Sequence, residues 1–374
     1  MSDKARIQVT YRLTAGDQGA ARSRARAVAV EQTVEFPEDL ITDSGIRDGI
    51  IGRVESVTSV DSRPGAWDVV ISYTAETAGR TLPQLLNLTF GNASLQPGVR
   101  VQRLELPDEV LARFKGPRFG VEGLRFVLEA RSRPILATAV KPMGLSPAEL
   151  AELAYRFALG GVDLIKDDHG LADQPFCPFE PRVRACAAAV AKANKETGGN
   201  SRYVANLVGP AERLRDRARF AKNVGAGGLL LAPGLVGWDA MRALADDDTV
   251  GLPILFHPSL LGGFTVSPDA GVDHRVLYGT LARLAGADAV IFPNYGGRFA
   301  FSTDDCRGIT AGCAAPLGAI SIAFPAPAGG MSLGRVAELR DFYGDDMVLL
   351  IGGDLHRHGD LVETCRRFRA MVDP

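Results

Sequence analysis

Gly160-Gly161-Val162-Asp163-Leu164-Ile165-Lys166-Asp167-Asp168-His169-Gly170 sets an apolar, β-leaning run directly against a Lys, two Asp and a His, with no spacer. A buried parallel strand reads as a continuous apolar run, and residues just past its carboxyl end can point into a shared cleft. Ionisable groups crowded there repel one another or desolvate at high cost unless something collects them, and a divalent cation would do so. A solvated turn between a strand and a helix is the other reading of such a cluster.

The same strand-then-helix unit recurs on both sides of this stretch. From Ile135 onward, short apolar runs at 135–141, 162–167, 202–208, 227–232, 253–257, 288–293, 319–324 and 347–351 alternate with amphipathic segments. Pro147–Phe157, with Leu150, Leu153, Ala154 and Phe157 on one face, Ala211–Lys222 and His274–Leu284 carry the helical period. Eight such units in about 240 residues predict a (β/α)8 TIM barrel. A doubly wound open sheet is the rival, weakened because Lys141-Pro142-Met143-Gly144 stands where a Gly-rich dinucleotide turn would follow the first strand. Residues 1–130 lack the rhythm. Ile7–Leu13 and Trp67–Thr74 alternate like half-buried antiparallel strands, and Arg22–Val30 and Leu82–Leu88 look helical. The expectation is an α+β domain over 1–128, followed by the barrel over 129–374.

Bulk properties exclude several functions. A net charge of −2 and a pI near 6.3 give no electrostatic case for nucleic acid or an anionic membrane. No apolar run approaches the roughly 20 residues of a membrane helix, and the first residues, Met-Ser-Asp-Lys-Ala-Arg, lack a signal-peptide core. The five cysteines have no metal-type spacing and read as reduced thiols of a cytoplasmic protein.

Residues 162–176 resemble the activation segment of the Rubisco superfamily, where a strand ends in Lys-x-Asp-Glu and Gln-Pro-Phe soon follows, here as Gln174-Pro175-Phe176. Other segments match in order. Lys115-Gly116-Pro117 with Gly120, Arg133-Pro134 and Ala139-Val140-Lys141-Pro142 resemble the entry to the first barrel strand. Tyr203-Val204-Ala205-Asn206 resembles the third strand and Phe256-His257 the fifth. Ala328-Gly329-Gly330 and Gly352-Gly353 resemble the phosphate-binding ends of strands seven and eight. The resemblance implies a ferredoxin-like first domain and a CO2-derived carbamate on Lys166 that holds Mg2+ together with Asp168 and the residue at 169. It also implies Lys141, Lys166, His257 and Arg298 as catalytic residues, and Asn206, Asn294 and the four glycines as substrate or phosphate contacts. Glu31, in Val30-Glu31-Gln32-Thr33, and Asn92, in Thr89-Phe90-Gly91-Asn92, match positions that complete the partner subunit's site, which implies a homodimer.

Several departures from the family pattern bear on function. His169 replaces Glu, so carbamate, Asp168 and a neutral imidazole would leave the metal site near neutral and draw its preference from Mg2+ toward Mn2+ or a softer ion. Met143 stands where a second lysine would follow the proline. Pro258 replaces a phosphate-gripping Arg, and the sixth strand offers Phe292 in place of a His. The loop Tyr295-Gly296-Gly297-Arg298-Phe299 carries Arg298 where a carboxylase holds a Lys over CO2, and the two are not interchangeable. The chain is thus identified as a member of the Rubisco-like, non-carboxylating branch. That implies metal-dependent enolate or enediolate formation on a monophosphorylated keto-sugar or 3-oxo sugar acid. The outcome would be of decarboxylase or transcarboxylase type, or of isomerase or enolase type, the latter including isomerisation of methylthio-ribulose 1-phosphate. The near-neutral metal site tilts the reading toward an anionic keto-acid. A genuine carboxylase is opposed by Met143, Pro258, Phe292 and the altered loop. A non-catalytic binding protein is opposed by intact Lys166, Asp168 and the glycine cradles.

Overall fold

A computed structural model describes residues 5–373, which form two compact units. In the first, β1 (Arg6–Thr14), β2 (Arg53–Ser59), β3 (Ala66–Thr74) and β4 (Val99–Glu105) join β10 (Gly271–Val272) in the order β10-β4-β1-β3-β2. The alternation in β1 is strict, with Ile7, Val9, Tyr11 and Leu13 wholly buried. Asp17 caps the following helix, Gln18–Glu31, by accepting from Ala20 N, and Ala21, Ala25, Val28 and Ala29 form its buried face. A second helix, Leu82–Phe90, lies between β3 and β4. The β-α-β-β-α-β order with its antiparallel pairing is the expected ferredoxin-like plan.

The short strand β10 runs parallel to β4, pairing Gly271 with Arg100 and Val272 with Val101. Gly271 sits at φ +103, and a Cβ there would meet Phe264 O at 2.1 Å, so only glycine fits. The Arg100 guanidinium gathers the carbonyls of Thr265, Ser267 and Ala270. Residues 261–281 and 317–320 thereby belong to the first unit. Gly262-Gly263 and Ser267-Pro268-Asp269 mark turns in that excursion, but nothing in the sequence indicates that it joins the first unit's sheet.

The second unit is the barrel. β5 (Ile135–Val140), β6 (Leu164–Asp167), β7 (Arg202–Asn206), β8 (Gly228–Leu231), β9 (Ile254–Phe256), β11 (Ala289–Pro293), β12 (Phe324–Ala328) and β13 (Val348–Leu350) run parallel in the order β12-β11-β9-β8-β7-β6-β5-β13. Inward residues such as Ile135, Leu164, Val204, Leu255, Phe324 and Val348 fill the interior. The chain divides at Phe114/Lys115, where the sequence suggested 128/129. Val121, Leu124 and Leu128 of the helix Gly120–Leu128 pack into the barrel core, and Asp288 ties that helix down by accepting from Phe119 N, Gly120 N and Ile254 N.

The seventh barrel strand corrects the reading at 319–324: it is Phe324-Pro325-Ala326-Pro327-Ala328. Two prolines make this run look unlike a strand, yet their spacing suits one edge of it. Phe324 N donates to Asp288 O, and Ala328 O accepts from Asn294 N, so that alternation directs Phe324, Ala326 and Ala328 toward β11. Pro325 and Pro327 direct their missing N–H groups to the other side, where no ladder links β12 to β13. The barrel is therefore nearly closed. Helix His274–Leu284 also differs, being a π-helical stretch over Arg275–Leu281 followed by Ala282–Leu284. All five cysteines are buried thiols outside any disulfide, and no helix among the described residues is long and apolar enough to cross a membrane.

Candidate active site

The charges of the opening stretch separate by position along β6. Asp163, just before the strand, is buried against Arg133 (2.7 Å to each oxygen) and Arg369 (2.9 Å), and accepts from Leu136 N. It anchors the amino end. Leu164 faces the core, so Lys166 and Asp168 follow it inward while Asp167 points outward. Asp167 is wholly buried between Arg182 Nε (3.1 Å), Tyr203 OH (2.6 Å) and Asn206 N (3.0 Å).

At the inward mouth, Lys166 is 3 % exposed and donates to Asp167 O at 3.1 Å. Burial lowers its pKa to about 8; Lys141 adds to the lowering, while Asp168 and Asp167 oppose it. Asp168 Oδ1 meets Lys141 Nζ at 3.0 Å and His169 Nδ1 at 3.2 Å. Burial raises the Asp168 pKa, but the His169 hydrogen bond and the two lysines outweigh it and hold the carboxyl well below its usual range. The His169 ring stacks on His257, with centroids 4.4 Å apart and planes at 13°. Burial, then Lys166 and His169, push the His257 pKa far down, which keeps its imidazole neutral. Lys141, Lys166, Asp168, His169 and His257 thus converge.

The glycines form a second cluster. Gly329 and Gly330, at φ +80 and +85, follow β12, and a Cβ on Gly330 would reach Gly297 Cα at 3.0 Å. Gly297 in turn has no room for a Cβ, which would lie 2.2 Å from Gly329 O. Asp354 accepts from Leu333 N at 2.9 Å, tying the loop after β12 to the turn that begins at Gly353. Nothing would lie within 4 Å of a Cβ at Gly352 or Gly353. Glycine-rich turns on adjacent loops, with open space beside Gly352 and Gly353, suit an anion such as phosphate.

Other expected residues have different surroundings. Asn206 donates its amide to His169 O (2.9 Å) and Leu171 O (2.8 Å), so its side chain braces the loop that carries Asp168 and His169. Asn294 is wholly buried, and its Oδ1 accepts from Tyr343 OH at 2.5 Å. Phe292 also faces outward and packs on Tyr343, so Ile291 and Pro293 are the inward residues of β11. Arg298 is exposed, its guanidinium 5.1 Å from the Phe299 ring centroid. In the first unit, Asn92 Nδ2 donates to Glu31 Oε1 at 2.9 Å, and Gln32 bonds to Asn87 O, Leu88 O and Ala93 N, fixing that segment. Sequence reasoning missed Arg182, whose guanidinium holds Cys177 O and Ala172 O as well as Asp167, and Ser259, which bonds to His257. Neither stands in a pattern that would distinguish it from a solvated helix arginine or a loop serine.

The model of the ribulose bisphosphate carboxylase large chain, catalytic domain, matches residues 120–364. The chain belongs to that family. Within it, the similarity is to Rubisco-like proteins. A crystal structure of a Rubisco-like protein from Rhodopseudomonas palustris superposes with a TM-score of 0.89 at 42% identity, covering 99% of this chain and 98% of that one. A protein of Rhodospirillum rubrum named 5-methylthioribulose-1-phosphate isomerase is 42% identical over 369 residues, 98% of this chain and 96% of its own length. A 2,3-diketo-5-methylthiopentyl-1-phosphate enolase of Geobacillus kaustophilus is 38% identical over 307 residues, 82% of this chain and 74% of its own length. These relatives support an enolase- or isomerase-type role without carboxylation. They do not favour the tilt toward a keto-acid.

Proposed function

We propose that this chain is an enolising isomerase acting on a monophosphorylated keto-sugar of the 5-methylthioribulose 1-phosphate type. The observation that carries the reading is the convergence of Lys141, Lys166, Asp168, His169 and His257 at one mouth of the barrel. The relative so named is 42% identical to this chain, whereas relatives named as the enolase are 33% to 38% identical. One glycine-built cradle, with Pro258 in place of a donor, suits a single phosphate; Phe292 faces away from the barrel interior and does not bear on it.

Asp168 and His169 supply two ligands of a divalent ion, and among the described residues no ready-made group of three His, Cys, Asp or Glu exists. A third would come from Lys166, whose buried amine gives up its proton readily enough to take CO2 as a carbamate. That donor set fits Mg2+ or Mn2+, which would polarise the substrate carbonyl and stabilise an enediolate. Lys141 carries the proton. A C–H bond beside the carbonyl breaks, its electron pair becomes the C=C bond of the enediol, and the carbonyl oxygen takes the charge. The hydroxyl on the deprotonated carbon gives its proton to the charged oxygen, and return of the first proton to the former carbonyl carbon leaves the new carbonyl next door, with no co-reactant consumed. His257, kept neutral, donates a hydrogen bond to the developing oxyanion. Glu31 and Asn92 complete the site of a partner subunit in a homodimer.

The test is incubation of the protein with 5-methylthioribulose 1-phosphate, Mg2+ and bicarbonate in D2O, followed by NMR. Deuterium should enter beside the carbonyl and an isomer should accumulate, while ribulose bisphosphate with labelled CO2 gives no labelled phosphoglycerate. Absence of exchange, or fixation of label, overturns the proposal.

A further inference from the structure

Past β9 the chain turns through Pro258-Ser259-Leu260, and this turn folds back on the ring of His257. Ser259 Oγ lies 2.9 Å from His257 Nδ1, and Ser259 N donates to the same nitrogen at 3.3 Å. A backbone N–H can only donate, so Nδ1 is an acceptor and the proton of the neutral ring sits on Nε2. The ring's remaining freedom is limited by the His169 face stacked on it at 4.4 Å. One residue further, Leu260 has φ +68, and its side chain is 70 % exposed. A leucine in the left-handed region is sterically strained, and no burial of this side chain offsets it. Backbone strain of this kind persists where surrounding structure imposes it and clusters at functional sites. Here it accompanies the turn that brings both Ser259 donors onto one ring nitrogen.

We propose that Ser259 is a positioning residue: with Leu260 held in the left-handed region, it fixes His257 as an Nε2–H donor toward the substrate oxygen that becomes negative on enolisation. The inference rests on the enolising reading above, but the tautomer can be tested without any substrate. Ser259 touches no reacting atom. It acts by deciding which His257 nitrogen carries the proton and how the ring is turned.

The experiment is 15N NMR of the whole protein labelled at histidine, with His257 assigned by its absence in His257→Gln, compared with Ser259→Ala and Ser259→Thr. In the unaltered protein, His257 Nδ1 should appear as an unprotonated nitrogen accepting hydrogen bonds, and Nε2 as the protonated one. In Ser259→Ala the Nδ1 signal should move downfield as an accepted hydrogen bond is lost, and in Ser259→Thr it should return. On the substrate, Ser259→Ala should lower kcat about tenfold, the effect of one transition-state hydrogen bond, with KM changed less than about twofold. Ser259→Thr should restore kcat. A proton on Nδ1 in the unaltered protein overturns the proposal even if no variant folds. An Nδ1 signal unmoved in Ser259→Ala, or a kcat equal to that of the unaltered protein, does so as well. If the spectra behave as stated but no variant or parent enolises the substrate, the functional reading fails while the tautomer assignment stands.

Discussion

Lys166 is buried to the point where its own charge works against folding. Its pKa is about 8 in the folded chain against 10.5 when unperturbed. Below about pH 8 both states hold the proton, and the folded state bears the whole cost of burying it. Between about 8 and 10.5 the unfolded chain holds more protons, so stability rises with pH and the cost disappears. Lys166→Met should therefore abolish turnover yet give a protein more stable than the parent at pH 7. The stability gap should narrow by on the order of 3 kcal/mol as pH rises toward 10.5. Urea unfolding of both proteins at the two ends of that range checks it; a gap independent of pH would mean that Lys166 titrates as an ordinary surface lysine. The cost is consistent with function, since only the neutral amine reacts with CO2. Lys166 and Asp168 were legible in the sequence because strand alternation and the family pattern agree on them. Asn206 was legible only as a polar residue at a strand end, and the pattern did not tell a substrate contact from a brace on the His169 loop.

The loop from Asp168 to Pro178 has no regular structure of its own, but it is held from beneath at several points. Arg182 donates to Asp167, Cys177 O and Ala172 O; Asp173 accepts from Phe179 N and from Arg217 at 2.5 Å; Asn206 supports the His169 end. Asp167 and Arg182 are both wholly buried, and removal of one leaves the other charge uncompensated. Arg182→Met should lower stability by about 3–5 kcal/mol, and adding Asp167→Leu should recover much of that loss. Chemical denaturation of the two single variants and the double variant measures the coupling; additive losses would mean that the pair is not one unit. This cage escaped the sequence because its members lie on β6, β7 and the following helix, far apart in the chain. The seventh strand escaped for the opposite reason. Prolines at 325 and 327 argue against a central strand, but a barrel with one unpaired seam has a place for them. The eight-fold rhythm itself was plain, because inward and outward positions of a parallel barrel strand are both apolar and so stand out as runs.

At the scale of the whole molecule, the first unit carries a polar pair that none of its own packing requires to be buried. Asn92 and Glu31 hydrogen-bond to each other, on a segment pinned by Gln32 and by Tyr11 OH to Thr89 O at 2.6 Å. Such bracing preorganises polar groups rather than burying them, since both residues remain half-buried. If they complete a neighbouring barrel's site, neither chain of a homodimer is active without the other. Lys166→Ala and Asn92→Ala homodimers should each be inactive, and mixing equal amounts with subunit exchange should regenerate activity. About half the dimers then contain one chain of each kind, and each has one intact site and one doubly broken site. About one quarter of all sites should recover. A tag pull-down verifies exchange. Mixed dimers that demonstrably form yet stay inactive would show that Asn92 serves its own barrel. Recovery near one quarter would place the N-terminal unit in the partner's active site, where its preorganised Asn92–Glu31 pair is a structural reason for the dimer to exist.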